Sequence, residues 1–442
     1  MSVPDLNQGA LAPVADEVEL SNLAVIGQVP PELNGMLIRN GPNPLTGRFE
    51  GEDVLAWWPE AAMLHGIYFE DGRVTQYRNR WVRTRAWGNE YHGQGDESLV
   101  ETNPNVNVIR HAGEVLALAE GGIPLVIDNT LETLGKSKRH PGLANGMTAH
   151  PKIDPVTGEL ITFHAHWAEP YLRYGVTGSD GQQLLDTEID IPAPSMMHDM
   201  AITASHSILM DLNVAYDFSL FSQGYRIPIR WHEERQSRFG VIPRHGGVVR
   251  WFEIAPCFIQ HVVNAYDTAD SNIVLEVVRY PWYFKPAPSG QGFQPNPLGV
   301  LWRYTFDLIS GTVTEQALDD KHIELPRINE AYTGRTTRYF YAVEQPADEA
   351  MRGIIRYDLE TDSTQQHEIA EVDQNSEPVF VPRSNATAED DGWILVSVYR
   401  QATDSNDILI LDASDIAGEP VATVKLPRRI PAGFHGAWLP SE

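Results

Sequence analysis

Trp302–Leu318 reads W-R-Y-T-F-D-L-I-S-G-T-V-T-E-Q-A-L. Strand-like text runs up to Asp307, a short Asp/Ser/Gly stretch follows, and strand-like text resumes. The aspartate, serine and glycine supply a turn, with side-chain oxygens capping backbone amides that the strands leave free. The same plan returns at Ile123–Lys136, at His150–Phe163, at Ile354–Ile369 and at Ile408–Leu426 around Asp412. Long runs of helical periodicity are scarce. Many short antiparallel strands repeated at intervals point to an all-β propeller or sandwich rather than an α/β fold. The spacing is irregular, so no single consensus repeat emerges.

The chain has 442 residues, enough for two or three average domains or for one large all-β unit. Its 31 Pro and 35 Gly are spread throughout and mark no linker, so residues 1–442 are read as a single domain. A formal charge of −27 argues against nucleic acid, whose binding depends on cationic contacts to phosphate, and against electrostatic docking on anionic lipid. An apolar patch making weak peripheral contact with a membrane is compatible with that charge. The single cysteine, Cys257, precludes an internal disulfide and fits a reducing compartment. The N-terminal text lacks a basic region followed by an apolar run, and no stretch approaches the roughly 20 apolar residues of a membrane span. The expectation is a mainly soluble, cytoplasmic protein. Asn385-Ala386-Thr387 matches a glycosylation sequon and is read as a turn.

Four histidines stand in similar settings: His150 in T-A-H-P-K, His198 in S-M-M-H-D-M, His261 in C-F-I-Q-H-V-V-N-A-Y and His435 in A-G-F-H-G-A-W. Three lie in or beside apolar, strand-like text, and His435 lies in a Gly- and aromatic-rich segment. The pattern suggests one metal held by imidazoles from four distant parts of the chain. A propeller explains this best, because its inner strands converge on one axis. Iron, zinc and copper all accept imidazole nitrogen. Four neutral ligands leave the ion's charge uncompensated, so carboxylates are expected behind them, each accepting the other ring N–H. Glu120 in L-A-L-A-E-G-G, Glu324 in H-I-E-L-P-R-I-N and Glu377 in N-S-E-P-V-F-V-P-R qualify. A carboxylate beside apolar text is costly if buried alone and makes sense facing a histidine.

Taken singly, any of the 15 histidines reads first as a surface or hydrogen-bonded core residue. His65, His166, His206, His232, His245, His322 and His367 stay with that reading. No H-E-x-x-H motif, Walker loop or G-x-S-x-G elbow is present. Cys257 sits in apolar text and reads as core. The 60 acidic residues leave a glycosidase on a propeller open on fold grounds.

Together these motifs resemble the carotenoid cleavage oxygenase family, which includes apocarotenoid oxygenases, retinoid isomerohydrolase and lignostilbene dioxygenases. The matching text runs nearly end to end. It includes L-I-R-N-G-P-N-P at Leu37–Pro44, M-L-H-G-I-Y-F-E-D-G at Met63–Gly72, Y-R-N-R-W-V-R-T at Tyr77–Thr84 and the closing G-F-H-G-A-W. The resemblance implies a seven-bladed β-propeller, with loops and short helices capping a non-haem Fe(II) on its axis. The family's iron ligands fall on His150, His198, His261 and His435. Its outer glutamates fall on Glu120, Glu324 and Glu377, expected to orient His198, His261 and His435 respectively. The implied reaction is cleavage of a carbon–carbon double bond by O2 to two carbonyl products, with no protein acid or base required. Val106 falls where the family places a methyl-bearing residue that crowds an open metal position; an ordinary strand valine is the other reading.

Two departures bear on substrate. Stilbene-cleaving relatives typically carry a lysine just before the first outer glutamate, where it engages a substrate phenol; here that residue is Ala119. The segment from Asp217 to Arg244 is compact and polar, where carotenoid-cleaving relatives often carry a longer apolar insertion. Leu220, Phe221, Tyr225, Ile227 and Ile229 read as a small apolar lip or as core. The expected activity is Fe(II)-dependent cleavage of an apocarotenoid or carotenoid. Stilbene or phenylpropene cleavage is the enzymatic alternative, and a catalytically silent binding propeller the non-enzymatic one.

Overall fold

A computed structural model describes residues 5–49, 60–84, 103–225, 227–288, 292–346 and 350–441. The hairpin that opened the sequence reading forms as expected. Val300–Asp307 pairs antiparallel with Thr312–Ile328, and Asp307 stands opposite Thr312 at the turn. The Asp307 carboxylate accepts the N–H groups of Ile309 (2.7 Å) and Ser310 (2.9 Å). Gly311 closes the turn at φ +79°, a conformation that costs a residue without Cβ little. Asp128, Asp154, Asp358 and Asp412 make the same side-chain-to-amide turn, to Thr130, Val156, Glu360 and Ser414. Asn385 adopts φ +61° in a turn, as its sequon context suggested.

The chain divides into two compact units, Arg139–Thr337 and the paired segments Ser2–Lys138 and Arg338–Glu442. Among the described residues the first unit carries three runs of four antiparallel strands, with a further strand pair, Val214–Tyr216 with Ile229–Trp231. One runs through Lys152–Ile153, Leu160–Ala165, Leu172–Thr177 and Gln183–Glu188. The next has Ala201–Ile202, His206–Asp211, Ser237–Pro243 and Arg250–Ile254, and the last has Phe258–Asp267, Asn272–Tyr280, Val300–Asp307 and Thr312–Ile328. One apolar core joins all three. Phe163 and Tyr174 come from the first sheet, Phe239 and Phe252 from the second, and Tyr304 and Phe306 from the third. Phe306 meets Phe239 and Phe252 edge-on, with centroids 5.4 and 5.2 Å apart. A buried arginine adds a polar lock. Arg244 bonds Asp154 (2.8 Å), Glu159 (2.9 Å) and the Thr203 carbonyl (3.0 Å).

Among the described residues the second unit carries four groups of paired strands. Both ends of the chain meet in one of them: Gly35–Pro42 pairs with Gly436–Pro440, Arg39 opposite Gly436. In another, Ala24–Gly27 pairs with Ala422–Leu426. Asn107–His111 through Thr133–Lys136 form the third, and Tyr339–Glu344, Ile354–Asp358 and Ser363–His367 the fourth. Among the described residues the α-helix is one turn, Ser219–Ser222, accompanied by three short 3₁₀ turns.

Candidate metal centre

Three of the histidines are held by the unit Arg139–Thr337. His150 and His198 lie in irregular segments just ahead of the first strands of their sheets, Lys152–Ile153 and Ala201–Ile202. His261 lies inside the first strand of the third, Phe258–Asp267, where the register with Asn272–Tyr280 breaks. Thr148 explains part of the T-A-H motif. Its hydroxyl accepts the His150 N–H (2.9 Å) and donates to the His198 carbonyl (3.2 Å), tying two histidine segments together. The ring centroids of His150 and His198 are 4.4 Å apart, and each is 5.2 Å from that of His261. One nitrogen from each ring lies within 4.8 Å of the others. Three neutral imidazoles converging at that spacing form a donor set suited to a metal ion.

Glu324 stands behind His261. Its Oε2 accepts His261 Nδ1–H (2.5 Å) and the Leu325 N–H (2.5 Å), and its Oε1 accepts the Tyr280 hydroxyl (2.5 Å). Leu325 takes φ +51°, a conformation a branched residue adopts at a cost of order 1–3 kcal/mol. Burial alone would raise the Glu324 carboxyl; the His261 ring, the Tyr280 hydroxyl and the Leu325 N–H together hold it below the ordinary range. Burial, with the adjacent carboxylate, pushes the Tyr280 phenol well above its ordinary value. That phenol stays protonated and donates. The Nδ1 bond leaves His261 Nε2 as the nitrogen offered to a metal.

In the other unit His435 has the matching arrangement. Glu377 Oε1 accepts His435 Nδ1–H (2.9 Å), and Oε2 accepts the Gly436 N–H (2.8 Å). The buried Arg39 guanidinium lies 4.0 Å from Oε2. The R-N-G-P and G-F-H-G motifs account for the placement of His435. Asn40 exchanges backbone hydrogen bonds with this segment: its N–H goes to the His435 carbonyl (3.0 Å), and its carbonyl takes the Phe434 N–H (3.1 Å). A Cβ on Gly41 would sit 2.6 Å from Gly433 Cα, so the two motifs approach only because both are glycine. Val106 is placed against the histidine, its carbonyl accepting the His435 N–H (3.2 Å). Ala119 is buried, and half-buried Glu120 follows it in the turn after Glu114–Leu118.

Among the described histidines outside the set, His65 is a core group and His245 a surface one. His65 is buried, its Nδ1 taking the Tyr77 hydroxyl (2.8 Å), and burial followed by Arg428 and Arg39 lowers its pKa to about 3. His245 is exposed. Cys257 is core, and burial raises its thiol to about 11. The lip divides: Leu220, Tyr225 and Ile229 are buried, while Phe221 is exposed beside Phe218. Thr148, Tyr280 and Arg39 escaped the sequence reading, because each stands in text that looks like ordinary strand or loop. No helix among the described residues is long and apolar enough to cross a membrane.

A family model described as retinal pigment epithelial membrane protein matches residues 11–440. A carotenoid cleavage oxygenase of Mycobacterium tuberculosis is 34% identical over 495 positions, covering 98% of this chain and 97% of that protein. Among solved structures, the cobalt-substituted apocarotenoid oxygenase of Synechocystis superposes with a TM-score of 0.86 at 25% identity, covering 97% of each chain. The lignostilbene dioxygenase of Pseudomonas brassicacearum superposes at 0.87 and 27% identity, covering 99% of each. The chain therefore belongs to the carotenoid cleavage oxygenases, enzymes built on a seven-bladed β-propeller.

Proposed function

We propose that this protein is an Fe(II)-dependent dioxygenase that cleaves a carbon–carbon double bond of an apocarotenoid or carotenoid. The convergence of His150, His198 and His261 carries the reading, since their nitrogens all lie within 4.8 Å of one another. His435 is the fourth ligand in this proposal, with residues 1–442 acting as one propeller domain and Glu120 orienting His198. Iron held there would supply O2 activation. The overall reaction, one alkene and one O2 giving two carbonyl compounds, balances without another co-substrate.

The chain's own residues orient and exclude. Glu324 and Glu377 fix the tautomers of His261 and His435 by accepting Nδ1–H, and their charge would offset that of a bound ion across the imidazole rings. Val106, beside His435, restricts what else approaches the centre. No protein acid or base is assigned, because no proton transfer is required to balance the products. Buried Ala119 offers no cation to a phenol, which favours an apolar polyene over a hydroxystilbene. The protein is proposed to work in the cytoplasm, mainly soluble, with no more than weak peripheral membrane contact and no nucleic-acid partner.

A second reading, cleavage of a stilbene or phenylpropene, is favoured by the similarity to the lignostilbene dioxygenase. One experiment separates them. The protein is loaded anaerobically with Fe(II), exposed to O2 with apocarotenals, carotenes, resveratrol and isoeugenol, and the aldehydes are identified by mass. Shortened polyene aldehydes support the proposal and locate the scissile bond. Benzaldehyde-type products move the assignment to the second reading. Iron-loaded protein that cleaves none of the panel defeats both.

A further inference from the structure

Asp199 directly follows His198 and is 2% exposed. Each of its oxygens is engaged. Oδ1 accepts the Met200 N–H (2.7 Å) and pairs with the Lys152 ammonium (2.8 Å); Oδ2 accepts the Val262 N–H (2.8 Å). The three partners are informative by position. Lys152 lies two residues after His150, Asp199 itself follows His198, and Val262 follows His261. One carboxylate therefore joins the three segments that carry the clustered histidines, and those segments belong to three different sheets.

The Val262 bond has a specific origin. Between Ile259 and Val262 the strand Phe258–Asp267 slips register against Asn272–Tyr280. A bulge of this kind takes backbone groups out of the regular ladder, and a buried N–H left that way is destabilising unless it finds an acceptor. Asp199 accepts this N–H and so fixes how the bulge, and the His261 ring beside it, sits relative to His198. Lys152 and two amides compensate the carboxylate charge, which lowers the cost of burying it. Asp199 is not part of the converging donor group, which is made by His150, His198 and His261.

We infer that Asp199 is a positioning residue that sets the spacing of His150, His198 and His261 by bonding to all three of their segments. The inference rests on the reading of those histidines as metal ligands. Ligand constellations tolerate displacements of only about 0.5 Å, so a strut of this kind is expected to be felt at the metal.

The test uses the full chain and Co(II) alone, whose visible d–d absorption reports ligand geometry independently of turnover. Asp199→Ala is expected to weaken Co(II) binding by about 10–100-fold, the range for partners of ligating residues, and to alter the d–d spectrum. Asp199→Asn retains one acceptor oxygen and should fall between it and the unaltered protein. Lys152→Met removes only the ammonium and should give a smaller shift in the same direction. A purely structural aspartate would lower the unfolding midpoint yet leave affinity and spectrum of the folded protein unchanged, and that result overturns the inference. Should Asp199→Ala fail to fold, unchanged affinity and spectrum in both Asp199→Asn and Lys152→Met overturn it equally. His198→Ala separates the two levels: undiminished Co(II) binding there defeats the ligand reading itself, whatever the Asp199 variants do.

Discussion

Replacing Glu324 with glutamine isolates charge from geometry at the His261 side of the centre. The carboxylate receives three donors, His261 Nδ1–H and the Leu325 N–H on one oxygen and the Tyr280 hydroxyl on the other. A glutamine carbonyl can take the first two. Its NH2 can then donate to the Tyr280 oxygen, because a hydroxyl both donates and accepts. The network survives in outline, and what disappears is the negative charge. Hydrogen bonds to charged groups contribute roughly 1.5–3 kcal/mol, against roughly 0.5–1.5 kcal/mol for neutral ones. The difference, about 1–1.5 kcal/mol, corresponds to a metal affinity about tenfold weaker, at the lower end of the range for such partners. Tyr280→Phe is the companion. It keeps the charge and removes one donor, so it should cost about 1.5–3 kcal/mol of stability while changing metal affinity only a few-fold. The assay is anaerobic competition for Fe(II) against a chromophoric chelator, alongside urea unfolding of the same samples. Unchanged affinity in Glu324→Gln, or a larger loss in Tyr280→Phe than in Glu324→Gln, would refute the argument that the carboxylate acts through its charge.

His198→Ala should strip the protein of most bound iron and abolish alkene cleavage, checked by metal analysis and product mass; full activity would remove His198 from the ligand set. Arg244→Met leaves buried Asp154 with Arg335 and its turn amides, but takes the charged partner from Glu159. Breaking a buried pair in this way should cost about 3–5 kcal/mol, read from denaturant unfolding, and a loss under 1 kcal/mol would mean the network relaxes freely. His65 predicts a pH dependence. Its folded pKa of about 3 lies below the ordinary histidine value of 6.5, so between those limits the unfolded chain binds a proton that the folded chain refuses. Its contribution is complete above the unfolded value and falls with pH, by about 2 kcal/mol at pH 5. His65→Gln should flatten the decline in stability between pH 7 and 5, and a parallel decline in the variant contradicts the assignment.

What the sequence disclosed depended on whether the physics was local. An aspartate capping amides two and three residues ahead is encoded within a few positions, and Asp307, Asp154 and Asp358 all do what their turns required. The histidines stood out because imidazoles are uncommon where strand text predicts burial. Glu324 and Glu377 were legible for the same reason, as charges that burial penalises. Asp199 met that criterion too and went unremarked, since its partners are an ammonium on one segment and a backbone amide on another. Nothing in M-M-H-D-M announces a donor freed by a bulge far along the chain. Tyr280 was silent for a different reason: in strand text a tyrosine reads as apolar core, and only its hydroxyl against Glu324 distinguishes it. The all-β class was legible from the hairpins, whereas the blade number came only through the family resemblance, because irregular spacing hides the repeat.

The two well-defined carboxylate–histidine pairs are alike in outline and unlike in electrostatics. Glu377 has a buried guanidinium 4.0 Å away, so part of its charge is balanced whether or not a metal is bound. Glu324 is surrounded by a phenol, an amide and the His261 ring, all formally neutral donors. Among the described residues no Lys or Arg is paired with it, and in the proposed centre its counter-charge would be a divalent ion reached through His261. On the proposed ligand set, His261 is expected to carry more anionic character than His435, and so to be the stronger donor of the two. The asymmetry also separates the costs of the two sites. At Glu377 a charge change disturbs an existing ion pair and appears first as lost stability. At Glu324 it acts on the metal, which is why the glutamine variant there gives the cleaner reading of what these carboxylates do.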